Sequence, residues 1–142
     1  MNPKEKAEEL LGVLIPFAEQ LLVEHGEFFP FAGRMAKDGQ FNHVAGYAGE
    51  EQPPSDEIRR LIEAGLREQA SRGECDLAIV ITNVSLTDQE TGDTEDAIHA
   101  AIEHRAGYFA DVFFPYSVSG GSLEYGDAKA QPRTPTIFEE QV

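Results

Sequence analysis

The sequence predicts an α+β fold in which an antiparallel sheet of about five strands packs against two helices, in the order α-β-β-α-β-β-β. Three observations lead to this prediction: two stretches carry apolar residues at helical spacing, the second half alternates or is apolar on both faces, and glycine-containing turns separate the extended segments. The chain has 142 residues, of which 41% are hydrophobic and 26% charged, as in ordinary globular proteins. We expect one domain over residues 1–127, followed by a mobile, proline-containing tail over residues 128–142.

The first predicted element is a long amphipathic helix that begins near Asn2-Pro3, because an asparagine cap followed by proline at the first helical position is a typical start. Pro16 removes an amide from the helix and predicts a kink or break near residues 12–15. Gly26 is the expected end. The residues at helical spacing are Ala7, Leu10, Leu11, Leu14, Phe17, Ala18 and Leu21.

A hairpin and a second helix are predicted next. The extended stretches Glu27 to Met35 and Gln40 to Tyr47 are separated by a turn at Lys37-Asp38-Gly39. Ser55 then caps a helix, and Gly65 within that helix would let the backbone approach the sheet closely. The predicted buried stripe is Ile58, Leu61, Ile62, Leu66 and Ala70.

The later strands are predicted from alternation. From Cys75 to Leu86 apolar residues occur at both the odd and the even positions, which is typical of a central strand that is covered on both faces. The segment Ala97 to Arg105 fits a helix or a strand, and we favour a strand because a short turn then leads directly into the β-rich Tyr108 to Val118. A short strand at Leu123 to Tyr125 follows.

Net charge is the strongest global signal, since 26 acidic residues against 11 basic ones give −15. Such a surface is a poor partner for nucleic acid, and it serves either solubility or attraction to a basic protein. No apolar run approaches the ~20 residues of a membrane helix. Cys75 is the only cysteine and no signal-peptide pattern opens the chain, so we expect a cytoplasmic protein without disulfides.

Candidates for catalysis are few. The residues that would line a pocket are His25, Glu27, His99 and Glu103. His25 and Glu27 flank the end of the first helix, where a histidine is also favoured by the helix dipole. On a strand, His99 and Glu103 would be ~13 Å apart, too far to touch. If the segment were helical, they would be neighbours and could hold a metal together with Glu95. The acidic loop over residues 88–96 does not match a calcium-binding loop, because Gly92 stands at position 5, and no metal or cofactor is expected.

Two segments share a Phe-Phe-Pro-aromatic run, HGEFFPFAG at residues 25–33 and VFFPYSV at residues 112–118. Alternation along a strand would point Phe28 away from Phe29 and Phe31, and would pair Phe113 with Pro115 and Phe114 with Tyr116. The prolines indicate an edge, a bulge or a strand end. The aromatic residues either fill the core or form an exposed patch, and the candidates for such an interaction surface are Phe28, Phe113 and Tyr116.

The element order over residues 3 to about 118 resembles that of roadblock/longin-like and profilin-like domains. That resemblance implies a protein-binding platform, often dimeric, and in the roadblock-like arrangement the first and last strands would be central neighbours. The segments GEFFPFAG and DAIHAAIEHRAGYFADVFFPYS resemble those of small, uncharacterised bacterial proteins. This second resemblance implies no particular activity.

We therefore expect a non-catalytic, cytoplasmic protein-interaction or regulatory module that self-associates, with an acidic surface that covers a basic partner as an immunity-type or antagonist protein would. The alternative is a small enzyme or small-molecule-binding domain that uses His25, Glu27, or His99 with Glu103 in a pocket beside the hairpin.

Overall fold

The computed structural model describes residues 2–36, 38–45 and 55–138. Within these ranges the chain forms an antiparallel sheet in the order β2-β1-β3-β4-β5-β6, with β7 also paired to β5. The predicted α+β class and the two helices are confirmed, and the sheet has seven strands instead of about five. The elements are α1 Pro3–His25, β1 Phe31–Met35, β2 Phe41–Ala45, α2 Ser55–Ser71, β3 Leu77–Thr87, β4 Thr94–His104, β5 Tyr108–Ser119, β6 Ser122–Tyr125 and β7 Lys129–Pro132.

Helix α1 has the predicted ends. The Asn2 side chain accepts a hydrogen bond from the Glu5 amide at 2.8 Å, and Gly26 closes the helix in the left-handed region with φ of 79°. The helix runs through Pro16 without interruption, so the predicted break is absent. The carbonyl of Gly12, which Pro16 leaves without its usual donor, is on the exposed side of the helix, where water can serve as donor.

The two helices cover opposite faces of the sheet. Helix α1 packs through Leu10 and Leu14 on the face that carries Ile79, Ile81 and Ile102. Helix α2 packs on the other face through Ile58, Ile62, Leu66 and Ala70, against Ala78 and Val80. The prediction that the strand after Cys75 is buried on both faces is therefore confirmed.

The predicted stripe of α2 needs two corrections. Leu61 is 59% exposed, and Gly65 has no atom within 4 Å of where a Cβ would stand, so neither residue approaches the sheet. Both lie on the flank of the helix, beside the stripe that ends at Ala70. The close approach is at Gly33 in β1, where a Cβ would stand 2.8 Å from Leu14 Cδ2 of α1.

The segment Ala97 to Arg105, whose pattern fits both a helix and a strand, belongs to strand β4 as favoured. Strand β4 pairs with β3 on one side and β5 on the other, and Gly107, with φ of 106°, closes the turn into β5 as predicted. The next turn joins Ser119 to Ser122 through Gly120 and Gly121, both at positive φ, which suits a two-residue hairpin.

The strand order differs from the roadblock-like arrangement, in which the first and last strands would be neighbours. Here β1 pairs with β3, and β5 lies on the far side of β4. The meander of β3, β4 and β5 is joined to β1 through its first strand instead of its last.

The C-terminal segment that the sequence predicts to be mobile packs on the sheet as far as Phe138. Strand β7 pairs with β5, with Phe113 opposite Lys129, and Ile137 and Phe138 are buried on the α2 face of the sheet. Residues 139–142 and the predicted strand end at Tyr47 lie outside the described residues.

Candidate functional site

The four pocket candidates do not come together. His25 and Glu27 are exposed at the end of α1, which covers one face of the sheet. His99 and Glu103 are on β4 and point to the opposite face, the one that also holds α2. The sheet therefore separates the two pairs, and a pocket formed by all four residues is excluded.

His99 belongs to a polar network on the α2 face. Its Nε2 atom is 2.8 Å from Asp111 Oδ1 on β5, and its ring stacks on Phe113 with centroids 4.6 Å apart. The same Asp111 oxygen accepts a hydrogen bond from Arg133 Nη1 at 2.9 Å. The network thus extends from His99 through Asp111 to the segment after β7.

Glu103 is the other end of this network and is fully buried. Its Oε2 atom accepts from Arg133 Nε at 2.9 Å, and Oε1 accepts from the amide nitrogens of Thr136 at 3.0 Å, Ile137 at 2.8 Å and Phe138 at 3.2 Å. Burial opposes the charge on Arg133, but the hydrogen bonds and charges of Glu103 and Asp111 outweigh it and raise the pKa of the guanidinium. The Arg133 guanidinium is therefore held as a cation.

This arrangement fastens the C-terminal segment to the sheet and occupies the Glu103 carboxylate. Both Glu103 oxygens are occupied by donors of the same chain, so this carboxylate cannot act as a general base. Burial raises the pKa of the Cys75 thiol, which keeps it protonated and unreactive. Over residues 2–36, 38–45 and 55–138, no group of three or more His, Cys, Asp and Glu side chains is placed to hold a metal ion.

The aromatic candidates are placed differently from the surface patch that the sequence allowed. Phe28 and Tyr116 are 7% and 8% exposed and belong to the core on the α1 face, and Tyr116 donates a hydrogen bond to Asn83 Oδ1 at 2.8 Å. Phe28 packs beside Phe31, with centroids 5.6 Å apart, because the strand begins only at Phe31 and its alternation does not extend back to Phe28. Phe113 is half-buried under His99. The three residues do not form one surface.

Pro115 lies at an irregularity of the sheet edge, as the sequence predicted. The carbonyl of Pro115 accepts from Gly126 N at 2.9 Å, and the nitrogen of a strand residue points to the same side as its carbonyl. That side faces the break between β6, which pairs with residues 116–119, and β7, which pairs with residues 110–113. The missing N–H therefore falls where no ladder bond is needed.

The β3–β4 hairpin extends well beyond β1, and we call residues 82–96 the arm. Strand β1 pairs with β3 only from Leu77 to Ile81, so residues 82–87 pair with β4 alone within the described part of the chain. At the tip the Asp88 carboxylate accepts from the amides of Glu90 at 2.8 Å and Thr91 at 3.2 Å, which fixes the turn. As far as the structure describes the chain, the arm therefore combines a hydrogen-bonded acidic tip with a strand edge over residues 82–87 that no strand pairs.

Acidic side chains gather at the end of the sheet from which the arm projects. Asp96 is opposite Tyr116, and Tyr116 is opposite Tyr125, so β6 lies at the same end as the arm, as does the end of α1 that leads into β1. We call this region the acidic end. Its carboxylates are Glu19, Glu24, Glu27, Asp88, Glu90, Asp93, Glu95, Asp96 and Glu124. Lys129 lies 3.8 Å from Glu95, whereas Lys6, Arg72 and Arg105 are at the opposite end of the sheet.

A cleft of about 430 Å³ also opens at the acidic end. Helix α1 forms one wall and the turn between β5 and β6 the other. The lining residues are Pro16, Glu19, Gln20, Val23, Glu24, Gly121, Ser122 and Leu123. Close by, partial burial and then the Glu19 carboxylate raise the pKa of the Tyr125 phenol. The cleft thus has an apolar lining with acidic borders.

Comparison with protein-family models, curated proteins and solved structures found no match. Neither helix in the described ranges is both long and apolar enough to cross a membrane.

The sequence indicated the arm only as an acidic loop. The extra length of β3 and β4 beyond β1 depends on which strands pair, and that pairing is not encoded locally. The Glu103–Arg133 pair joins residues 30 positions apart, and no spacing rule connects them.

Proposed function

We propose that this protein is a non-catalytic interaction module that binds a basic, extended segment of another protein at its acidic end. The observation that carries the proposal is the arm, where the edge of β3 over residues 82–87, which only β4 pairs within the described ranges, stands next to the acidic tip. An extended peptide can add to such an edge through main-chain hydrogen bonds, and charge then selects which peptide binds.

Electrostatics supports a basic partner. The arm carries exposed carboxylates at Asp88, Glu90, Asp93, Glu95 and Asp96. Together with the carboxylates of α1 and β6 they give the acidic end a strongly negative potential, which attracts cations and accelerates association at low salt. A cytoplasmic antagonist that covers the basic surface of its target would use the same arrangement.

The enzyme alternative receives less support. His25 and Glu27 are on the other side of the sheet from His99 and Glu103, and Glu103 is occupied by Arg133 and three backbone amides. The acidic residues of the arm, in contrast, are exposed to solvent and available to a partner.

The test is binding of a peptide with alternating lysine and valine, (Lys-Val)₄, followed by NMR and calorimetry. We expect saturable binding, with shifted and newly protected amides at residues 82–87, because edge pairing forms hydrogen bonds there. An arm variant, Glu90→Gln with Asp93→Asn and Glu95→Gln, should bind about tenfold more weakly at low salt, since each exposed ion pair contributes up to ~0.5 kcal/mol.

The matched control removes the same number of charges away from the acidic end, with Glu8→Gln, Glu9→Gln and Glu74→Gln, all at exposed positions. Its affinity should stay within about twofold of the unaltered protein. Equal weakening in the arm and control variants, or unchanged amides at residues 82–87, would refute edge pairing at the arm.

A further inference from the structure

Strand β2 is the outermost strand on one side of the sheet, and within residues 2–36, 38–45 and 55–138 only β1 pairs with it. The main-chain groups of successive residues in an antiparallel strand point alternately to its two sides. The Gln40 carbonyl accepts from the Ala36 amide at 2.9 Å, so Gln40 directs its main-chain groups toward β1. Phe41, His43 and Ala45 therefore direct their N–H and C=O groups away from β1, along the outer edge of β2.

The composition of β2 is unusual for a strand at the edge of a sheet. Such edges are commonly protected by charged side chains or proline, as in β7, which contains Lys129 and Pro132. Strand β2 consists of Phe, Asn, His, Val and Ala and contains neither a carboxylate, a lysine, an arginine nor a proline. In a chain with a net charge of −15, an uncharged edge is also a place where two copies can approach with little repulsion.

Apolar side chains of α1 border β2 on one face of the sheet. Phe17 is 38% exposed, and its ring centroid lies 4.7 Å from that of the exposed His43, with the two rings nearly perpendicular. Val13 precedes Phe17 by one helical turn on the same flank and is 56% exposed. The β2 side of α1 thus carries an apolar surface that the chain covers only in part.

Leu61 borders β2 on the other face. Arg67 Nε donates to the Thr136 carbonyl at 2.9 Å, so this flank of α2 faces the C-terminal segment. With about 100° between successive helical residues, the exposed Leu61 falls on the opposite flank. That flank faces β1 and β2, since Gln69 between it and the sheet accepts from Arg34 Nη1 of β1 at 2.7 Å.

We propose that β2 pairs with β2 of a second copy of this chain, antiparallel and centred on His43. This register places Phe41 opposite Ala45 of the other copy and uses the outward N–H and C=O groups of all three outward-facing residues. On the α1 face the twofold axis brings together the Phe17 and His43 rings of both copies, and on the α2 face it brings the two Leu61 side chains toward each other. Antiparallel pairing also directs the two arms, and with them the two acidic ends, away from each other.

The first experiment is analytical ultracentrifugation between about 5 µM and about 500 µM protein, because a short strand pair with few side chains forms a small interface. The mass should rise with concentration from 15.6 kDa toward twice that value. The dissociation constant of the dimer should fall at least about twofold between about 0.15 M and about 0.5 M sodium chloride, since salt screens the repulsion between two acidic chains. A single chain at every concentration, or a dimer that salt weakens, would overturn the proposal.

The second experiment changes the edge and its apolar borders. His43→Glu places two carboxylates opposite each other at the centre of the interface and should weaken the dimer at least about threefold. Gln131→Glu, which adds the same charge to the exposed strand β7, should change the dissociation constant by less than about twofold. Equal dissociation constants for the His43→Glu and Gln131→Glu proteins would overturn the proposal.

Val13→Ser combined with Leu61→Ser removes apolar surface from both borders and should also weaken the dimer about threefold or more. Val23→Ser is the control, because Val23 is equally an exposed valine of α1 but lies next to the turn between β5 and β6. All three residues are exposed, so urea denaturation should show folded proteins in each case. Equal weakening by the control would overturn the proposal.

Hydrogen exchange separates a second copy from a foreign strand. The amides of Phe41, His43 and Ala45 should exchange more slowly as the concentration of the protein alone rises. If they are protected only when the (Lys-Val)₄ peptide is added, β2 is a peptide site and the dimer proposal fails. Peptide-dependent protection confined to residues 82–87 bears on the function proposed above and not on the dimer, so either proposal can fail alone.

Discussion

Two glycines show how tertiary packing gives the same residue type opposite roles. A Cβ at Gly33 would stand 2.8 Å from Leu14 Cδ2 and 2.9 Å from Leu14 Cδ1, inside the buried layer between α1 and the sheet. A Cβ at Gly65 would meet no atom within 4 Å on α2. The absence of a side chain is therefore needed at Gly33 and has a cost at Gly65, because glycine weakens a helix interior.

We predict that Gly33→Ala lowers the free energy of unfolding by ~1–3 kcal/mol, because the added methyl group overpacks the core against Leu14. Gly65→Ala should raise it by ~0.5–1 kcal/mol, because alanine favours the helix and meets no obstacle. Urea denaturation of both variants measures the two effects, and a Gly33→Ala protein as stable as the original would show that α1 can shift away from β1.

His104 is a buried histidine whose ring is only partly satisfied. Its Nδ1 accepts a hydrogen bond from the Ala106 amide at 2.9 Å, while its Nε2 has no partner within the described residues. Burial, and then the Lys6 charge, lower the pKa of His104, with Asp76 acting in the other direction and Arg105 in the same one. The folded protein therefore holds this ring neutral.

A pH dependence follows. Because the folded pKa of His104 is lower than the unfolded value of 6.5, the unfolded chain binds the proton more readily, so its contribution to stability is complete above pH 6.5 and is lost as the pH falls below it. Urea denaturation between pH 7.5 and about 5 should show this loss in the free energy of unfolding. The His104→Gln variant has no titrating group at this position, so it should lose less stability over the same pH range. Parallel pH profiles would contradict the assignment to His104.

At the scale of elements, the C-terminal segment is fixed to the sheet mainly by charged and polar contacts. Strand β7 is exposed throughout and adds little apolar burial. Arg133 bridges Glu103 and Asp111, and Ile137 and Phe138 then cover part of the α2 face. Removing one ion of a buried pair leaves the other charge uncompensated.

We therefore predict that Glu103→Gln lowers the free energy of unfolding by ~3 kcal/mol or more, measured by urea denaturation. Hydrogen exchange at the amides of Thr136, Ile137 and Phe138 should also accelerate, since these amides lose a charged acceptor. Combining Glu103→Gln with Arg133→Met should destabilise by less than the sum of the single changes. Glu8→Gln is the exposed control and should change the free energy of unfolding little. If Glu103→Gln had an equally small effect, Glu103 would not hold the C-terminal segment as proposed.

The sequence pattern predicts some of the helices and strands and misses others. Apolar periodicity indicated α1, α2 and the two-sided burial of β3, because those signals are local. It missed β7, whose residues Lys129–Pro132 are exposed and show no alternation. It also misplaced Phe28, since alternation applies only from the residue where a strand begins, and the sequence around Pro30 does not mark that residue.

The candidate site was less predictable than the fold. The acids of residues 88–96 are visible in the sequence, but their position on a projecting arm depends on β1 pairing with β3 only as far as Ile81. The gathering of carboxylates from α1, the arm and β6 likewise depends on strand register across β3, β4 and β5. Such long-range pairings are set by the whole core.

At the scale of the whole molecule, acidic residues outnumber basic ones by 26 to 11. The acidic end brings together carboxylates from three different parts of the chain: α1, the arm and β6. Like charges held close together destabilise the folded state, and dissolved salt screens them. The stability of this protein should therefore depend on ionic strength.

We predict that the midpoint of thermal unfolding rises by several degrees between about 0.05 M and about 0.5 M sodium chloride, because screening weakens repulsion at the acidic end. The arm variant with changes at Glu90, Asp93 and Glu95 should have a higher midpoint at low salt and a smaller rise. Calorimetry at several salt concentrations measures both. A midpoint that falls with added salt would mean that attractive ion pairs outweigh this repulsion.

The contacts that Glu103 makes with Arg133 and the amides of residues 136–138 have a consequence for the order of events during protein synthesis. Strand β4 leaves the ribosome before Arg133 and the amides of residues 136–138 have been made, so the Glu103 carboxylate has none of these partners at that time. An ion without partners stays in water. The part of the α2 face around Glu103 is therefore expected to be covered last, once the nascent chain has delivered residues 133–138.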